Sequence, residues 1–219
     1  MRINRFLALT TGISRRDADV LVAAGKVQLN GELAKAGDQV QLNDKVVFED
    51  KQLSLPETTT IMLNKPRGYV VSRDGQGSQT IFELLPEKYH NLKPIGRLDK
   101  NSSGLLLLTN NGELAQELTH PSFGHNKTYL VKLDKPLTKE HQLDISQKGV
   151  RLDDGLSKFE LERLNASGSA WQIRMSEGRN RQIRRTFRAL GYHIRRLTRT
   201  QFSSYNLDNL ASGEYCEIS

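Results

Sequence analysis

The stretch Pro94-Ile-Gly-Arg-Leu-Asp-Lys-Asn-Ser-Ser-Gly-Leu-Leu-Leu-Leu-Thr109 sets a continuous apolar run, Leu105–Leu108, directly behind a small polar turn. A short apolar run bounded by turn residues reads as a fully buried strand. The turn carries Asp99, with Arg97 two positions back and Asn101, Ser102 and Ser103 ahead. Aspartate is rarely buried unless it is paired or hydrogen-bonded. A carboxylate on the lip of a core strand, among hydroxyls and an arginine, is therefore a candidate site residue. The plainer alternative is an aspartate that only ties a turn together.

Working outward, residues 60–63 and 69–71 read as paired strands around Asn64-Lys-Pro-Arg-Gly68, a turn that presents Lys65 and Arg67. Asn110 or Asn111 can cap a helix from Gly112 to about Thr119. Lys127–Leu133 alternates as a strand carrying Tyr129, and residues 159–161 and 171–175 give two more. Arg181–Leu190 is helical, with Ile183, Phe187 and Leu190 inward and Gly191 as its stop, and residues 192–198 return as a strand. Strands and short helices without a regular βαβ alternation give an α+β domain over 60–219, with a mixed, largely antiparallel sheet.

Upstream, Ile3, Phe6 and Leu7 fall at helical spacing, and Ser14 can N-cap a second helix with Asp17 three residues on. Asn30-Gly31, between residues 27–29 and 32–34, is the strongest short hairpin signal. Residues 1–50 thus form a small helix–helix–sheet unit. Residues 51–59, without a period and containing Pro56, read as a linker. Arg15 and Arg16 sit in a first helical turn, where the dipole disfavours cations, as expected if they face phosphates.

The net charge is +7 over 219 residues. Between Gly178 and Arg199 stand Arg179, Arg181, Arg184, Arg185, Arg188, Arg195, Arg196 and Arg199 with no acid among them. So dense a like-charged cluster calls for an anionic partner, and nucleic acid is the most economical one. No apolar run approaches the ~20 residues that span a bilayer, so no membrane role is expected. The single cysteine excludes an internal disulfide, and no secretion signal opens the chain; the cytoplasm is the expected location. The histidines show no metal-ligand spacing. No Gly-x-Ser-x-Gly elbow frames Ser102 or Ser103, and no second carboxylate is placed for glycosidase chemistry. One carboxylate, an arginine cluster and aromatic rings remain, a set suited to work on a flipped nucleotide.

Two resemblances sharpen this. Ser14-Arg-Arg-Asp-Ala-Asp19, Gly25-Lys-Val-Gln-Leu-Asn-Gly31 and Gly37-Asp-Gln-Val40 resemble the S4-like RNA-binding module, which implies RNA contact by Arg15, Arg16 and Lys26. Gly96-Arg-Leu-Asp99 with Ser103-Gly-Leu-Leu-Leu-Leu-Thr-Asn110, Asn64-Lys-Pro-Arg-Gly68, Lys127-Thr-Tyr-Leu-Val131 and Glu177-Gly-Arg-Asn-Arg-Gln-Ile-Arg-Arg185 resemble the ribosomal RNA pseudouridine synthases of the RsuA-like branch. The resemblance implies cofactor-free, metal-free isomerisation of uridine to pseudouridine. Asp99 would act on the ribose, either attacking C1′ or taking the C2′ proton. Tyr129 would stack on the base and help remove the C5 proton, and Arg184 would pair with the carboxylate. Arg97 would hold the RNA open, Leu197 would lie under the base, and Lys65 would join the substrate contacts. Arg179, Arg181 and Arg185 would meet the RNA backbone. The wording of the last motif leans towards large-subunit ribosomal RNA. Small-subunit RNA is the alternative, and a non-catalytic ribosome-assembly protein is the rival of another class. The expected partner is ribosomal RNA or an assembling subunit, met by a monomer.

Overall fold

The computed structural model describes residues 1–120 and 124–218. It divides into two compact units, Met1–Thr58 and Thr59–Ser219.

In the first unit, helices α1 (Ile3–Thr11) and α2 (Arg15–Ala23) are followed by strands β1 (Val27–Leu29), β2 (Glu32–Leu33), β3 (Val46–Phe48) and β4 (Lys51–Leu53), in the sheet order β2-β1-β3-β4. Ser14 caps α2 by accepting from the Asp17 amide at 3.1 Å, satisfying one of the orphan donors that a helix start exposes. Ile3, Phe6, Leu7, Ala18, Val22, Val27 and Val46 close one core. The segment expected to be a linker, 51–59, begins inside this sheet. Glu49 and Asp50 both take positive φ (49° and 59°), the two-residue turn that suits the right-handed twist of a hairpin, and β4 folds back onto β3.

The second unit contains β5 (Thr60–Lys65), β6 (Lys93–Pro94), β7 (Ser103–Thr109), α3 (Gly112–Thr119), β8 (Lys127–Leu133), α4 (Lys139–Leu143), β9 (Val150–Leu152), β10 (Gly155–Ser157), β11 (Glu160–Arg163), β12 (Ala170–Met175), α5 (Gln182–Ala189), β13 (Ile194–Phe202), β14 (Tyr205–Asn206) and β15 (Tyr215–Ile218). Its nine-stranded sheet runs β11-β12-β8-β13-β7-β5-β15, with β14 against β13 and β6 against β7. Only the β13–β7 pairing is parallel, so the sheet is mixed and largely antiparallel.

Both faces of β7 are covered, which explains the unbroken leucine run. Leu106 and Leu108 pack with Ile61, Val131, Trp171 and Phe187 on one side. Leu105 and Leu107 pack with Ile95, Leu118 and Phe202 on the other. The expected hairpin between 60–63 and 69–71 does not form. Both edges of β5 are taken by β7 and β15, and the Gly68 amide instead donates to the Lys100 carbonyl at 2.8 Å. That bond ties the Pro66–Gly68 turn to the loop carrying Asp99. No helix among the described residues is long and apolar enough to cross a membrane.

Candidate active site

Asp99 lies in the turn that feeds β7, and its carbonyl accepts from the Ser102 amide at 3.0 Å. The turn is fastened from beneath by Lys65. This lysine is fully buried, and its ammonium donates to the carbonyls of Pro66 (2.9 Å), Asp99 (3.3 Å) and Ser102 (2.9 Å). Burial pulls its pKa down to about 8, against the opposing pull of Asp99. A side chain so enclosed does not reach a nucleotide, so the substrate contact expected of Lys65 is corrected to a positioning role. The strand adjoining this turn demands glycine at 104. A Cβ there would stand 2.1 Å from the Arg199 carbonyl oxygen, and φ is +105°, a region closed to side-chain-bearing residues.

The Asp99 carboxylate is partly exposed and faces two arginines of α5 and its cap. Arg181 Nη1 lies 3.6 Å and Arg184 Nε 3.8 Å from Oδ2. Arg184 meets the carboxylate through one nitrogen and directs another elsewhere. Its Nη2 donates to the Asn101 carbonyl (2.8 Å) and to Ser102 Oγ (3.1 Å), and its Nε is buried without a hydrogen-bond acceptor. One guanidinium therefore pins the turn while presenting positive charge to the carboxylate. Burial lowers the Arg184 pKa, with Asp99 opposing. Arg181, at the N-cap of α5, has φ 47° and ψ 29°. Such a left-handed conformation in a non-glycine residue is held only when the surroundings impose it.

Asp99, Arg97, Tyr129, Arg184 and Leu197 line one cleft of about 100 Å³. Tyr129 and Leu197 reach it from the paired strands β8 and β13. Both are nearly buried, while Arg97 is exposed. The ring and the leucine offer the cleft apolar surface suited to a planar base.

The other arginines divide. Arg179 donates to Asp154 Oδ1 (2.9 Å), to the Asp154 carbonyl (2.8 Å) and to the Leu156 carbonyl (2.7 Å). Arg185 grips both Asp154 oxygens at 3.0 and 2.6 Å. Both brace the 176–181 turn against the β9–β10 hairpin, while each keeps part of its side chain exposed. Asp154 went unnoticed in the sequence, where nothing distinguishes it from any Asp-Asp-Gly turn acid. In the first unit, Arg15, Arg16 and Lys26 are all exposed, and Arg15 donates to Asn4 Oδ1 at 3.2 Å.

A partly exposed carboxylate flanked by guanidinium groups and an aromatic ring, in a chain of net charge +7, marks the class of protein that does chemistry on a polynucleotide. Residues 59–189 match the family described as RNA pseudouridylate synthase, and residues 1–46 match the S4 domain. The ribosomal large subunit pseudouridine synthase B of Bacillus subtilis (strain 168) is 34% identical, aligned over 99% of this chain and 91% of that protein. The dual-specificity RNA pseudouridine synthase RluF of Escherichia coli (strain K12) is also 34% identical, over 100% of this chain and 75% of its own. Some relatives are longer: the chain spans 48% of a 36% identical synthase B of Xylella fastidiosa (strain 9a5c). A crystal structure of a pseudouridylate synthase superposes with a TM-score of 0.71 at 31% identity, covering 100% of this chain and 96% of that one. The chain belongs to the RNA pseudouridylate synthase family and carries an S4 domain ahead of its catalytic domain.

Proposed function

We propose that the protein converts one uridine of large-subunit ribosomal RNA to pseudouridine, with Asp99, Tyr129 and Arg184 as its catalytic residues. The observation that carries this reading is the single cleft shared by Asp99, Tyr129, Arg184 and Leu197. A uridine flipped into it puts its ribose at the carboxylate and its base between the tyrosine ring and the leucine. Asp99 acts as nucleophile at C1′, forming an ester, or as base taking the C2′ proton, and the C1′–N1 bond breaks with its electron pair going to N1. The uracil turns within the cleft and C5 bonds to C1′ as the Asp99 ester bond breaks or the C2′ proton returns. The C5 proton then leaves, with Tyr129 placed to assist, and N1 gains a proton, so the product is an isomer of the substrate and no group is gained or lost. Positive charge from Arg184 and Arg181 faces the carboxylate at 3.8 and 3.6 Å. Arg97, exposed at the rim, holds the displaced strand, and the S4 unit grips RNA through Arg15, Arg16 and Lys26. The protein acts as a monomer in the cytoplasm on free RNA or an assembling subunit.

The large-subunit assignment is supported by the chain's likeness to the large-subunit synthases of Bacillus and Xylella. Its test is a pseudouridine map of ribosomal RNA from cells with and without the gene. One large-subunit position should lose the modification and regain it on complementation. An unchanged map, or a loss in small-subunit RNA, refutes the assignment.

A further inference from the structure

Beside the Asp99 cleft lies a larger hollow of about 490 Å³, and the two share Arg97, Tyr129 and Arg179 as walls. Besides Arg97 and Arg179, two further cations, Arg199 and Lys127, line the hollow. Arg199 is only 3% exposed. Its Nε donates to the Leu105 carbonyl at 2.9 Å, its guanidinium lies 4.9 Å from the Phe202 ring centroid, and its Nη2 has no acceptor. Lys127 Nζ lies 5.6 Å from the same ring centroid. It donates to the carbonyls of His125 (3.2 Å) and Ser176 (3.1 Å). Among the described residues neither cation forms an ion pair with a carboxylate. Glu177 also borders the hollow, but its carboxylate is held by Arg179 (3.4 Å) and by the Gln182 amide.

Buried charges are as a rule paired. Two like charges sharing one ring, with carbonyls as their main partners, leave positive potential facing the hollow, and a cleft of one sign concentrates counter-charge. Burial first and Arg199 second hold the Lys127 pKa below its ordinary value, with Glu177 opposing. The placement follows from strand geometry. Lys127 is two residues before Tyr129 on β8, and Arg199 two after Leu197 on β13. Residues two apart share a strand face roughly 7 Å from one another, so the cation pair sits one step along from the pair that faces the base.

Resting on the reading of the Asp99 cleft as the uridine site, we propose that this hollow is a phosphate subsite in which Lys127 and Arg199 receive a backbone phosphodiester of the strand carrying the flipped uridine. The half-buried Lys127 ammonium is the group that meets phosphate oxygens, and the Arg199 guanidinium, enclosed against Phe202 with Nη2 unpartnered, adds its charge from behind; every nucleotide threaded past Tyr129 brings one phosphate.

The test uses the full chain and protein-free large-subunit ribosomal RNA. Binding is measured across a salt series, with pseudouridine formation followed in parallel. Lys127→Met should weaken binding about tenfold and make the log–log salt slope shallower by about 0.7, the share of one phosphate on a single strand. Lys127→Arg should restore both. Lys139→Met, an equal loss of charge on the exposed face of α4, gives the baseline. A Lys127→Met slope equal to that baseline overturns the subsite, as does equal damage in Lys127→Met and Lys127→Arg with the slope unchanged. Failure of the parent reading shows separately: the wild-type protein would make no pseudouridine while the slopes still decide the phosphate contact.

Discussion

Lys65→Met tests how the turn carrying Asp99 is held. The substitution keeps the length of the side chain and removes three hydrogen bonds, to the carbonyls of Pro66, Asp99 and Ser102. Hydrogen bonds to a charged group contribute roughly 1.5–3 kcal/mol each, so three amount to about 4.5–9 kcal/mol. Opposing them is the burial that brings the lysine from 10.5 to about 8. At about 1.36 kcal/mol per pKa unit that term is roughly 3 kcal/mol, and methionine escapes it. The net loss is therefore roughly 2–6 kcal/mol at pH 7. Trp171, the sole tryptophan, is 2% exposed in the core of the catalytic unit, so its fluorescence in urea follows that unit. The pH profile gives a second reading. The folded-state pKa lies below the unfolded one, so between about 8 and 10.5 the unfolded chain binds more protons and stability rises with pH. Below about 8 the penalty is fully present. Wild type should gain roughly 3 kcal/mol relative to Lys65→Met across that window. Equal stability of the two proteins at pH 7, or parallel profiles up to pH 10.5, would refute the reasoning.

Other changes probe other parts. Tyr129→Phe keeps the ring and drops the hydroxyl; RNA binding should hold while turnover falls by about 10²-fold or more, the usual share of a general acid–base group, and unaltered turnover would remove the hydroxyl from the chemistry. Arg15→Ala with Arg16→Ala should flatten the salt dependence of RNA binding by about 1.4–1.8 in log–log slope, with the melting of the catalytic unit unchanged; an unaltered slope takes α2 off the RNA. Gly104→Ala places a Cβ 2.1 Å from the Arg199 carbonyl at φ +105°. It should cost at least about 2 kcal/mol by the strain of that backbone region, read from the same fluorescence transition, and a neutral result would mean that β7 and β13 separate freely.

The leucine run was legible because both faces of β7 are buried, so no alternation was needed to identify a strand. Caps at Ser14 and Asn111 and the Asn30-Gly31 turn were legible because their signals are local. What escaped the sequence depends on distant partners. Residues 60–71 carry a hairpin pattern, but β15, more than 140 residues on, occupies the edge that the hairpin needed. The β9–β10 hairpin is two three-residue strands, too short to show a period. The arginines look alike in sequence. Only the fold shows that Arg179 and Arg185 are tied to Asp154, that Arg181 and Arg184 face Asp99, and that Arg199 is buried beside the cleft. Lys65 sits in a turn motif that suggests presentation, yet its ammonium points inward to carbonyls supplied partly from residues 99 and 102.

The most direct test of the account is Asp99→Asn, assayed on large-subunit ribosomal RNA lacking the modification. The account predicts native melting, RNA affinity within about threefold of wild type, and a loss of pseudouridine formation of at least roughly 10³-fold. Turnover near the wild-type rate in that variant would contradict it.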